Sequence, residues 1–491
     1  MTSFKQYSSP VVAVVACLLV TIALRPASDT QRDVTAHRPL LKRTVSAITS
    51  DVPRYRFQVG DTYSYESSST FDYEGGKMVN SDRDDVWVIQ QYDDGSFRLV
   101  IRHTSQYRQE RDGADPYEGP ERVALGYCDM FPDGRFDRNP SLGYLINPSS
   151  IFPRLPDHTH ELASGWESTS NSFLGDTTFR LVGQPDDVEN SWTFDFVRTS
   201  PMDPIYESSA SGSLTFDDRQ GLVRSITTHS TQGYIFNGES HGTVTLVSAE
   251  TMSTEQLSSL LAESDTYFAA SAEYTRLEQQ ANHDYGQAEQ LMAEAKAVLE
   301  RALHDTRLPI MTDQLQRQLE QHEQSASDTL EDAGKFAKLI GQPSEDWTLD
   351  DLNGAEHSLD DYRGRVVLLD FWYRGCGWCI RGMPQINQVA DAFSDQPVTV
   401  LGMNTDQELE DARFVVEKMG LNYNNLQATG IPEKYGVTGF PTLVILDQQG
   451  TIRDIHVGYA DDLFDQISAT VERLLSETSI ESTGTEEKKS F

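Results

Sequence analysis

Val366-Val367-Leu368-Leu369 is an unbroken apolar run that leads into Asp370-Phe371-Trp372-Tyr373-Arg374-Gly375-Cys376-Gly377-Trp378-Cys379. A continuous apolar run is what a central strand covered on both faces requires. It breaks where two cysteines stand at Cys-x-x-Cys spacing, so the segment reads as a buried strand entering a helix with the pair at the break. Two cysteines so spaced can close a small disulfide ring, which stores and releases two electrons. A thiol at a helix N-terminus also meets unpaired backbone N–H groups and the positive end of the macrodipole. Both favour the thiolate, the nucleophile of disulfide exchange. The pattern points to redox chemistry. The competing readings are half of a structural zinc site and an inert disulfide. Zinc generally needs four ligands, most often a second such pair. Only Cys17 and Cys128 remain, both distant in sequence, and no His-x3–5-His pair follows the motif.

The flanks extend the pattern. Ile340-Gly341-Gln342-Pro343 opens a segment that passes Trp347, Leu349, Leu352-Asn353-Gly354 and Ser358-Leu359 to Tyr362-Arg363-Gly364. Pro384 follows Cys379 by five residues, where it would kink the helix rather than start one. Val398 to Met403 reads as the next buried strand, and Leu409 to Met419 as a polar helix. Tyr435-Gly436-Val437-Thr438-Gly439-Phe440-Pro441-Thr442 then leads into the strand Leu443 to Leu446. A turn at Asp447 to Gly450, a last strand from Thr451 to Val457 and an amphipathic helix close the region.

With these motifs in this order, residues 340–475 resemble a thioredoxin-fold domain of the TlpA/ResA-like class, a little over a quarter of the chain. The resemblance implies that Cys376 attacks and Cys379 resolves. It also matches Asp370 to the buried carboxylate beneath the disulfide, which takes up and returns the proton of Cys379; the alternative is an ordinary strand-end aspartate. Pro441 matches the cis-proline of the fold, so that backbone groups of Phe440 could pair with an incoming peptide. A trans proline entering an edge strand is the other possibility. Three departures stand out. Gly377-Trp378 lacks the proline common between the cysteines, and Trp378 is a candidate substrate contact. Gly375 replaces a frequent tryptophan, and Gly382 stands where the class commonly carries a glutamate that tunes the thiols. The direction of electron flow is therefore open, since potentials in this fold span about −270 to about −120 mV. No cofactor is expected, because the cysteines carry the electrons themselves.

A chain of 491 residues suggests two to four domains. The formal net charge of −36 excludes nucleic-acid binding, which needs clustered Lys and Arg. Residues 6–24 carry no charge and lie between Lys5 and Arg25. They fit a signal anchor over residues 1–27, since about 20 apolar residues span a bilayer. Arg25-Pro26 interrupts the cleavage window, which favours an uncleaved anchor. Cys17 weakly fits a lipoprotein acceptor, but the apolar run continues past it. Arg25, Arg32, Arg38, Lys42 and Arg43 follow the segment, and the positive-inside rule would place the body in the cytoplasm. The family resemblance implies the opposite, a single-pass protein with its body on the periplasmic side.

Residues 28–51 read as a basic linker. From 52 to 250 the sequence is β-like: Asp84 to Ile89, a turn at Tyr92-Asp93-Asp94-Gly95, and Phe97 to Ile101 form a hairpin pattern. Gly212 to Asp217, Leu222 to Ile226 and Thr243 to Val247 continue it. This predicts an antiparallel sheet or open barrel. Asp157, His158 and His160 raise the question of a metal, but their Pro-flanked loop fits a polar surface better. Cys128 reads as a buried or unpaired thiol. Residues 253–337 change to helical spacing, with Leu291, Met292, Ala295, Val298, Leu299 and Leu303 on one side. Pro309 divides them into two helices, as a hairpin or spacer. A disordered tail is expected over 476–491.

The fold expectation is multidomain: a C-terminal α/β thioredoxin-like domain preceded by a mainly antiparallel β domain and a helical spacer. The functional expectation is a membrane-anchored extracytoplasmic thiol–disulfide oxidoreductase that reduces protein disulfides and is recharged by a thiol electron donor. The alternatives are a disulfide oxidase or isomerase, and a binding or scaffold protein acting through its β domain with a secondary redox pair.

Overall fold

The computed structural model describes residues 52–137, 146–172, 175–186, 191–199, 205, 208–233 and 237–486. The apolar segment 6–24 and the linker lie outside them. Among the described residues no helix is long and apolar enough to cross a membrane. The chain divides into two units, one up to Asp265 and one from Thr266 onward.

The first unit is built on alternation. Its strands are β1 (Asp61–Tyr73), β2 (Gly76–Gln91), β3 (Phe97–Arg111), β4 (Tyr117–Glu118), β5 (Arg122–Met130) and β6 (Phe136–Asp137). After a short helix α1 (Thr159–Ser164) come β7 (Trp166–Ser172), β8 (Gly175–Asp186), β9 (Ser191–Thr199), β10 (Ser209–Asp217), β11 (Leu222–Gln232) and β12 (Gly238–Thr251). They form one twelve-stranded sheet in the order β6-β5-β3-β2-β1-β12-β11-β10-β9-β8-β7, with β4 beside β3. The expected hairpin is β2–β3, closed by a bond from Gly95 N–H to Tyr92 C=O at 3.1 Å. Side chains alternate faces along each strand, so one face can be apolar throughout. Leu99 and Ile101 of β3 share a core with Phe194 of β9, although the two strands are far apart in the sheet order. A flat sheet could not bring them together; this one curls over its apolar face. Tyr55, Phe57, Phe152 and Phe216 fill the curl with rings at 5.5 to 5.7 Å. Cys128 is fully buried in this core.

Three helices follow, where the sequence suggested two: α2 (Thr254–Ala281), α3 (Ala288–Asp305) and α4 (Pro309–Leu339). Pro309 begins α4, where its missing N–H costs nothing. The unforeseen break is Asn282-His283-Asp284-Tyr285-Gly286, a run of turn-forming residues. The helical segment does stand between the β strands and the α/β part, and it also packs on the latter. Phe336 of α4 lies in the α/β core, and Tyr285 donates to the Ile455 carbonyl at 2.6 Å.

The α/β part begins with the small hairpin β13 (Thr348–Asp350) and β14 (Glu356–Ser358). It continues with β15 (Val366–Trp372), α5 (Gly377–Ala392), β16 (Val398–Asn404), α6 (Leu409–Met419) and β17 (Asn424–Gln427). β18 (Thr442–Leu446), β19 (Ile452–Val457) and α7 (Leu463–Glu486) complete it. The sheet order is β17-β16-β15-β18-β19; β16 runs parallel to β15 and β18 antiparallel to it. All seven residues of β15 are buried, as an apolar central strand demands. Val366 and Leu368 pack with Ile386 and Val389 of α5 and Ile467 and Val471 of α7. Val367, Leu369 and Phe371 face the other way, toward Trp347, Tyr435 and Phe336. α6 stops at Gly420, whose φ of 59° supplies the left-handed cap. α7 continues to Glu486, past Ser476, where composition predicts a disordered tail.

Candidate functional site

β15 ends at Trp372, and its last carbonyl accepts from Thr405 N–H at 3.0 Å. The chain then turns into α5. Asp406 pins the turn by accepting from Arg374 N–H at 2.9 Å, while the Arg374 guanidinium pairs with Asp411 at 2.7 Å and lies 4.1 Å over the Phe414 ring. Cys376 N–H donates to Tyr373 C=O at 3.0 Å, and Cys376 becomes the N-cap of α5. Its Sγ accepts from Cys379 N–H at 3.1 Å, an interaction that would favour a thiolate there. Cys376 and Cys379 are joined by a disulfide. They are 6 % and 3 % exposed. The two sulfurs of the pair are thus bonded to each other, and Cys128 belongs to the core of the first unit.

Asp370 lies on β15 two residues past Leu368, so alternation puts it on the face that α5 and α7 cover. It is 5 % exposed. Burial pushes its carboxyl up to about 7, partly offset by a hydrogen bond from Tyr423. Tyr423 Oη donates to Asp370 Oδ2 at 3.3 Å. Burial and the adjacent carboxylate raise the Tyr423 hydroxyl well above its ordinary range, so it keeps its proton. Gly402 sits opposite Asp370 on β16. A Cβ there would lie 1.8 Å from Asn425 Oδ1, which accepts from Trp372 Nε1 at 3.0 Å, so only glycine fits.

Aromatic pairs flank the disulfide loop. Tyr373 packs edge-on against Phe440 at 5.2 Å, and the Phe440–Pro441 bond is cis. Trp378 stacks on Tyr459 at 5.6 Å. The buried Arg381 guanidinium lies 4.7 Å over Tyr459 and pairs with Asp461 at 3.2 Å. The structure thus gathers Cys376, Cys379 and Trp378 on one helical turn, with Asp370 on the strand beneath that helix. Tyr423, Asp406, Tyr459 and Arg381 were not singled out from sequence. None belongs to a local motif, and Tyr423 is 53 residues from its partner.

Outside this region, His158 and His160 stack at 5.6 Å, but Asp157 is taken by Arg154 at 2.5 Å.

The AhpC/TSA family matches residues 340–455. Thiol-disulfide oxidoreductase ResA of Geobacillus thermodenitrificans is 32% identical over 126 residues, covering 25% of this chain and 72% of that protein. Thioredoxin-like protein YneN of Bacillus subtilis is 35% identical over 121 residues, covering 24% and 71%. Among solved structures, the thioredoxin domain of a thiol-disulfide oxidoreductase from Bacteroides vulgatus is 31% identical, covers 27% of this chain and 97% of its own, and has a TM-score of 0.26.

Proposed function

The chain belongs to the TlpA/ResA-like family of thiol–disulfide oxidoreductases, and we propose that it reduces disulfides of protein substrates with Cys376 as nucleophile. The observation that carries this is the placement of Cys376 at the N-cap of α5, its sulfur facing the Cys379 N–H at 3.1 Å. In the reduced enzyme the same donor and the helix N-terminus stabilise a Cys376 thiolate. That thiolate attacks one sulfur of the substrate disulfide; a mixed disulfide forms and the first substrate thiolate leaves. Cys379 then gives its proton to Asp370 and attacks the Cys376 sulfur. The second substrate sulfur leaves as a thiolate, which takes up the proton that Asp370 returns, and the Cys376–Cys379 disulfide closes, so two electrons have passed to the substrate. A separate thiol donor reopens the pair.

Asp370 suits this role because a carboxyl held near 7 can both take and return a proton at neutral pH. Trp378, which stands between the two cysteines, and Phe440 and Pro441, which join in the cis bond beside Tyr373, are the proposed substrate contacts. The uncharged segment 6–24 and the family membership support an anchored protein with its body outside the cytoplasm. The residues after Arg25 argue the other way by charge, so a reporter active only outside the cytoplasm, fused at the C-terminus, tests it; a silent reporter overturns it.

The direction of transfer is tested by equilibrating the protein in thiol/disulfide buffers. A potential near about −270 mV supports a reductase, and one near about −120 mV makes it an oxidase instead.

A further inference from the structure

Two imidazoles and a carboxylate converge on the exposed face of the twelve-stranded sheet. His229 of β11 and His241 of β12 are direct partners in the antiparallel register, so their side chains share a face. Their rings lie 4.7 Å apart, centroid to centroid, at 34°. Glu239 precedes His241 by two residues and so faces the same way. A Glu239 carboxylate oxygen lies 3.7 Å from His229 Nε2. One donor atom from each of the three falls within 4.8 Å of the other two, the one such group among the described residues. Asp72 of β1 stands opposite Glu239 and adds a second carboxylate to that face.

We propose that His229, Glu239 and His241 form a binding site for a divalent transition-metal ion of the zinc type, with water completing the coordination. An ion pair explains only part of the arrangement. Pairing His229 with Glu239 gives no part to His241, whose ring lies 4.7 Å from that of His229. A divalent ion uses both neutral imidazoles and the carboxylate together, and imidazole nitrogen suits Zn, Cu and Ni. Bonds of about 2.0 to 2.1 Å place tetrahedral donors about 3.4 Å apart. The His229–Glu239 pair is already near that spacing, and rotation of the exposed His241 side chain closes the remainder. The backbone needs no rearrangement, because β12 is laddered on both sides, to β1 and to β11. Such preorganisation keeps the cost of assembling the ligands small.

The test titrates Zn²⁺ into the full-length Cys17→Ser chain, with the Cys376–Cys379 disulfide oxidised, against a chromophoric chelator. One equivalent is expected to bind, and His229→Ala and His241→Ala are each expected to weaken it at least about tenfold. Disulfide exchange is expected to stay unchanged, since neither residue belongs to the redox site. Zn²⁺ is expected to raise the melting temperature of the parent and not of the double variant. Equal affinity in parent and double variant overturns the proposal, as does an equal loss in His158→Ala, which would mean unspecific histidine binding.

Discussion

Tyr423 donates its hydroxyl proton to Asp370 across 3.3 Å, and both side chains are buried within the α/β unit. The bond is the polar contact that offsets part of the burial of the carboxylate, and the two residues set the protonation state beneath the active-site helix. Removing the bond should push Asp370 above its value of about 7. Turnover that needs the Asp370 carboxylate rises with pH through that value. Tyr423→Phe should therefore shift the rising limb of the pH–rate profile to higher pH. An unchanged limb would show that Asp370 does not govern it.

Asp370 itself makes stability depend on pH. Its carboxyl is raised from 3.8 to about 7 by burial, so between these values the folded chain holds a proton that the unfolded chain has lost. The unfolded state then binds fewer protons, and stability falls as pH rises through this window before levelling off above about 7. Asp370→Asn should abolish that slope. Denaturant titrations should find the variant close to the parent near pH 4 and more stable near pH 8.5, by something on the order of 4 kcal/mol. A parallel pair of curves would contradict the assignment.

Arg381 and Asp461 form a pair whose side chains are only 5% and 13% exposed. Removing Arg381 takes the opposite charge away from Asp461, which keeps its hydrogen bond from Tyr459 at 2.8 Å. Arg381→Ala should cost about 3 kcal/mol in chemical denaturation, and replacing both by leucine should recover much of the loss. Equal losses in the single and double variants would mean that stacking on Trp378 and Tyr459, rather than charge, holds this corner.

Burial raises the Cys128 thiol far above its ordinary range. In the oxidised Cys17→Ser protein no thiol should react with an aromatic disulfide reagent at pH 8, and guanidinium should release one. A native thiol that titrates would place Cys128 at an accessible surface.

The α/β domain was legible because its information is local. Val366 to Leu369 can only be a covered strand, and the cysteine pair, Gly439-Phe440-Pro441-Thr442 and the strand beyond it each announce themselves within a few residues. The β domain was legible as alternation, but its curl, which puts Leu99 of β3 and Phe194 of β9 in one core, is encoded by no local pattern. The break at Asn282 to Gly286 is masked in the sequence because helical composition continues on both sides of it. Tyr423, Tyr459 and the His229–His241 pair share one cause. Each acquires its partner only through strand register or packing between distant segments.

The most direct test uses Cys379→Ala, reduced and mixed with a peptide that carries a disulfide. Attack by Cys376 without a resolving thiol should leave a stable mixed disulfide, and peptide mapping by mass spectrometry should find it on Cys376, with none formed in Cys376→Ser/Cys379→Ala. A mixed disulfide on another cysteine, or none at all, would contradict Cys376 as the nucleophile.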